Sequence, residues 1–117
     1  MFSYTATIGR NFSPTHPLPG LQNKPMTLSA WARFVEDVQA EMVKYLQVWQ
    51  VEPVTVEIHR GTGVWDGVTE DSAKITVLRN DYADADYLRE LRQVLSFLAR
   101  EYGQDAIAFT VGTSELL

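Results

Sequence analysis

The spacing of apolar residues along this chain switches between every second position and every third or fourth, and the order of those switches leaves few folds open. Phe2, Tyr4, Ala6 and Ile8 alternate with Ser3, Thr5 and Thr7, the pattern of a strand with one buried face. Gly9 closes it. Leu28, Trp31, Val35, Val38, Met42, Tyr45 or Leu46, and Trp49 then recur at helical spacing. Thr27 supplies an N-cap, Met26 can staple onto Trp31, and Pro53 marks that the helix is over. Val54, Val56 and Ile58 alternate with Thr55, Glu57 and His59 in a second strand. Gly61, Gly63 and Gly67 punctuate a loop containing Trp65, after which Ile75 and Val77 mark a third strand. Residues 80–86 carry turn chemistry, with Asp84 or Asp86 as the next N-cap. Leu88, Leu91, Leu95, Leu98 and Tyr102 form the inner stripe of a second helix that Gly103 terminates, and residues 106–111 make a last strand.

Strand, helix, strand, strand, helix, strand in 117 residues predicts one α+β domain spanning 1–117. Two right-handed crossovers and a hairpin give the ferredoxin-like βαββαβ arrangement. Its four-stranded antiparallel sheet takes the order β4, β1, β3, β2 and carries both helices on one face. The same elements in another strand order are the competing arrangement.

Residues 9–26 hold four prolines and read as a long loop without regular structure, of a length that tends to be functional or disordered. That loop lies within an acid-free segment. Residues 1–35 contain Arg10, Lys24 and Arg33 but no Asp or Glu, whereas the remainder concentrates all 15 acids of a chain with net charge −5. The negative balance argues against general nucleic-acid binding. With no cysteine, disulfides and thiolate chemistry are excluded. Neither a membrane-length apolar run nor a signal-peptide layout is present, so a cytoplasmic location is expected.

The predicted topology gathers one end of the sheet. Arg10, Asn11, His16, Asn23 and Lys24 come there from the loop, Arg60 and Trp65 from the hairpin, Gln104 and Asp105 from the final turn. A guanidinium, helix N-terminal N–H groups and an indole suit a ligand carrying phosphate and a base. Arg10 and Lys24 would hold phosphate, Trp65 would stack, and Asn11, Gln104 and Asp105 would read polar edges. The competing expectation is that Arg10 or Lys24 simply pairs with Asp66, Glu70 or Asp71 of the hairpin.

On the sheet face away from the helices, alternation places Thr5, Thr7, Thr55, His59, Thr76 and Thr110, with Ala106 and Ala108 beside them. Small semi-polar residues there suggest a covering second copy, hence a homo-oligomer, although threonine is also simply a good strand former. His59 near Glu57 has no evident nucleophile, and two histidines do not make a metal site; neither catalysis, metal nor cofactor is expected.

Residues 5–11 (TATIGRN), Trp31 with Phe34, residues 61–65 (GTGVW) and residues 102–108 (YGQDAIA) together resemble small uncharacterised proteins of actinobacterial phages. The resemblance implies a phage accessory protein. By analogy it suggests a non-enzymatic homo-oligomer that sequesters a nucleotide-derived immune signal of the host. A protein-interaction module without a small ligand is the alternative, and a small ferredoxin-like enzyme the third reading.

Overall fold

The computed structural model describes residues 1–47, 55–65, 67–115 and 117, Trp65 by its strand position alone. Six principal elements follow one another: β1 (Phe2–Gly9), α1 (Leu28–Gln47), β2 (Thr55–Trp65), β3 (Val68–Arg79), α2 (Ala85–Glu101) and β4 (Ala108–Thr113). The sheet runs β2-β3-β1-β4 with every neighbouring pair antiparallel, which is the ferredoxin-like α+β order expected.

One face of the sheet holds the core. Tyr4, Ala6 and Ile8 of β1 meet Ala73, Ile75 and Val77 of β3, and all six are at most 2% exposed. Phe34, Val35, Val38, Met42 and Leu46 of α1 and the leucines of α2 close over them in a single cluster. Each such side chain contributes about 1.5–3 kcal/mol by leaving water. Leu28, which the helical spacing places with the buried residues of α1, is 72% exposed, and Phe34 is fully buried beneath α1. Its ring stacks on Tyr102 with centroids 4.5 Å apart.

Local chemistry sets the helix boundaries. The Ala30 N–H donates to Thr27 Oγ1 at 3.2 Å, and the N–H groups of Asp86 and Tyr87 donate to Asp84 Oδ1. Gly103, at φ +70°, ends α2, and the Gln104 N–H turns back onto the Ala99 carbonyl. Trp49, Pro53, Val54 and Asp66, which carried expectations for the first helix, second strand and hairpin, lie outside the described residues.

Three boundaries differ from the sequence reading. Residues 61–65 are strand, not loop: their partners Val68 to Ser72 complete the ladder, so the two glycines sit in extended backbone. β1 ends at the Gly9–Ser72 pair, one further backbone bond runs from the Arg10 N–H to the Asp71 carbonyl, and the hairpin then continues as a two-stranded ribbon. β4 starts at Ala108, because Asp105 is tied sideways to Ser13 and the chain joins β1 only at Thr7. The long loop is ordered from within. The Phe12 N–H donates to Lys24 O, Asn23 N–H to Phe12 O and Met26 N–H to Arg10 O, with a short 3-10 turn at Pro19–Leu21.

Candidate functional site

Gly9 is the last residue of β1, and a Cβ built there would stand 2.4 Å from the carboxylate of Glu70. The missing side chain lets Glu70 reach from β3 across the end of β1. Its Oε2 accepts the Asn11 N–H at 2.8 Å. Next to it, the Arg10 guanidinium donates to Asp71 at 2.8 Å and, through Nε, to the Met26 carbonyl at 2.9 Å. Glu70 and Asp71 thereby clamp the ribbon against the start of the loop.

The far wall comes from the turn after α2. Gln104 Nε2 donates to the Asn11 carbonyl, while Asp105 Oδ1 accepts from Ser13 Oγ at 2.6 Å and Thr15 Oγ1 at 3.3 Å. The loop closes down because Gly103 leaves room for it. A Cβ at Gly103 would meet Phe12 Cδ1 at 2.7 Å, and the Gly103 carbonyl accepts the Ser13 N–H.

Between these walls lies a cavity of 480 Å³ on the open face of the sheet, floored by Thr7, Gly9 and Ala108. Its polar lining is Asn11, Ser13, Asn23, Glu70, Gln104 and Asp105, and Phe12, Pro14, Val68 and Ala106 complete it. Asn23 holds φ +58°, a left-handed conformation that an asparagine tolerates. Among the described lining residues are two carboxylates and no Lys or Arg. Such a lining disfavours a phosphate and suits hydroxyl or N–H donors and positive charge, with apolar surface for a flat ring.

The sequence-derived candidates separate accordingly. Asn11, Gln104 and Asp105 come together on the cavity, with Asn23 beside them. Arg10 pairs with Asp71, the competing expectation. Lys24 contributes its carbonyl to the loop ladder and its side chain is exposed. The His16 ring packs against Phe12, and its Nδ1 accepts the Leu18 N–H. Arg60 is exposed on β2 opposite Ala73. Trp65 pairs with Val68 in the ribbon, and its side chain lies outside the described residues. Thr7 was assigned only to the open face, yet it also belongs to the cavity floor.

The rest of that face follows the expected alternation. Thr55, His59 and Thr110 are exposed; Thr5 and Thr76 are half-buried, with their hydroxyls bonded to each other at 2.9 Å. His59 Nε2 stands 3.3 Å from Glu57 Oε2, outside the cavity. Among the described residues no cluster of three metal-ligating side chains occurs, and no described helix is long and apolar enough to cross a membrane.

Neither a protein-family model nor a curated protein matches the chain. Solved structures do. A phage SAM lyase in the apo state is 17% identical, with 95% of this chain and 78% of that one covered and a TM-score of 0.49. The phage SAM lyase in complex with S-methyl-5'-thioadenosine is 16% identical over 95% and 79%, with a TM-score of 0.49. CutA1 from Pyrococcus horikoshii is 12% identical over 100% and 86%, with a TM-score of 0.37. The expectation of a non-enzyme is corrected here, since two of these similar structures are of a lyase.

Proposed function

We propose that the cavity at the Gly9 end of the sheet binds a phosphate-free molecule of nucleoside type, preferentially one bearing positive charge. The observation that carries this reading is the pair of carboxylates, Glu70 and Asp105, on opposite walls with no Lys or Arg among the described lining. Carboxylates accept from ribose hydroxyls or an ammonium group and stabilise a cation such as a sulfonium. Asn11, Asn23 and Gln104 offer amide groups to ring heteroatoms, and Phe12 and Pro14 offer apolar surface. The volume falls in the range of small-molecule sites. Phosphate, part of the sequence expectation, is dropped because Arg10 is engaged by Asp71 and Met26.

The open face supports a second part of the reading, a homo-oligomer with the cavity beneath its cover. Thr7 and Ala108 belong both to the cavity floor and to the face, so a second copy seated there would shield a bound ligand from water. The likeness to actinobacterial phage proteins supports an accessory role in the host cytosol.

Thermal unfolding with a panel of adenosine, methylthioadenosine, S-adenosylmethionine, AMP and ADP-ribose tests the reading. A ligand that binds the native state raises the melting temperature by mass action. The expected order is S-adenosylmethionine and the uncharged nucleosides above AMP and ADP-ribose, with the shift reduced in Glu70→Gln. Shifts confined to the phosphorylated compounds would overturn it. Chromatography of the same mixtures reads whether the bound compound is returned intact or cleaved.

A further inference from the structure

β4 is an edge strand whose six residues carry no charge. The Ser114 N–H donates to the Met1 carbonyl at 2.8 Å, which makes that pair a hydrogen-bonded one in the antiparallel ladder. Bonded pairs alternate, so Gly112, Thr110 and Ala108 also direct their N–H and C=O groups toward β1. Phe109, Val111 and Thr113 therefore turn theirs to the outer edge, where no backbone bond to them occurs among the described residues. Natural proteins usually blunt such an edge with charge, proline or a bulge; Ala108–Thr113 contains no charged residue or proline and pairs with β1 in an unbroken register.

A basic stripe stands beside it. Arg89, Arg92, Gln93, Ser96, Phe97 and Arg100 follow one another at helical spacing on α2 and line an open groove of 510 Å³. Phe97 is 59% exposed, and the Arg92 guanidinium lies 5.6 Å over the ring of Phe109, joining the stripe to β4. Arg89 is already bonded to Asp86, which leaves Arg92 and Arg100 as the stronger anion partners.

We infer that β4 and the arginine stripe of α2 together form a docking site for an extended, acidic segment of a partner protein. The segment adds a fifth strand by bonding to Phe109, Val111 and Thr113, and its carboxylates meet Arg92 and Arg100. Extended backbone is the form that matches a free strand edge, and charge complementarity to the stripe selects acids. Arginine and exposed aromatics are also the residues that concentrate in protein interfaces. This surface is separate from the cavity and does not depend on its ligand.

The test uses a fluorescein-labelled peptide of alternating Glu and Val, a matched Lys and Val peptide, and oligothymidylate, each titrated by anisotropy at low salt. The acidic peptide is expected to bind, and Arg92→Glu, Arg100→Glu and Thr113→Pro each to weaken it about tenfold or more, with Arg33→Glu neutral. Amide hydrogen exchange on the unmodified chain is an independent readout, with slowing at Phe109 and Val111 when the peptide is added. Failure of the acidic peptide to bind, tighter binding of either control ligand, or unchanged affinity in the variants overturns the inference. So does protection of Phe109 and Val111 in the protein alone, which would mean that a second copy already covers the edge.

Discussion

The Glu70 carboxylate lies where a side chain on Gly9 would have to be, with the nearest oxygen 2.4 Å from the position of a Cβ. One missing methyl group thus decides where an acid on a neighbouring strand can rest, and that acid forms a wall of the cavity.

Gly9→Ala should separate stability from binding. The group in the way is the far end of a flexible side chain, so the chain folds with Glu70 swung aside. The lost charge-assisted bond from the Asn11 N–H costs about 1–3 kcal/mol, read by urea denaturation. Ligand binding by the same variant is expected to fall as far as in Glu70→Gln. Undiminished binding would show that the position of Glu70 does not matter.

Tyr4→Phe should be costly although the ring is retained. Tyr4 is fully buried, and its hydroxyl oxygen accepts the Ala83 N–H at 2.7 Å, anchoring the turn before α2. Burial raises the Tyr4 phenol above its ordinary value, the Ala83 bond opposing it. Removing the oxygen leaves a buried donor unsatisfied, and a loss of about 1–3 kcal/mol is expected by chemical denaturation.

The Tyr102 phenol is pushed up to about 12 by burial and by the bond it donates to Asp37. A folded value above the ordinary 10 means the folded state retains this proton more strongly than the unfolded chain. Its contribution is complete below pH 10 and is lost as pH rises through 12. The stability difference between the unmodified protein and Tyr102→Phe should therefore shrink across that interval. A constant difference from pH 9 to 12 would contradict the assignment.

Thr76→Arg should convert an oligomer to monomers in light scattering, because Thr76 lies among the small residues of the open face and a twofold axis would bring two like charges together. A monomeric unmodified protein would refute the covered face.

The topology was legible because two kinds of spacing alternate in a short chain, and because Asp84, Thr27 and Gly103 mark helix ends with local chemistry that needs no tertiary context. Half of the cavity was legible too, in Asn11, Gln104 and Asp105, since the strand order alone brings those turns together. Glu70 was not. Gly61 and Gly63 read as loop punctuation, which stops the third strand's alternation at Ile75 and hides the position of Glu70 on the open face. For Arg10 the sequence leaves two readings open, a phosphate ligand or the partner of a hairpin acid: charge pattern gives the sign of a residue but not its partner, and the ribbon sets Asp71 against it. Phe12 and Pro14 are ordinary loop residues in sequence, and they reach the cavity only because Gly103 lets the loop settle onto the end of α2.

The most direct test of the central claim is calorimetric titration of one nucleoside carrying opposite charges, 5'-amino-5'-deoxyadenosine against AMP. The two carboxylates predict that the amine binds at least about tenfold tighter than AMP, and that the preference collapses in the Glu70→Gln, Asp105→Asn double variant. Tighter binding of AMP, or an equal affinity for both that the double variant leaves untouched, would contradict the account.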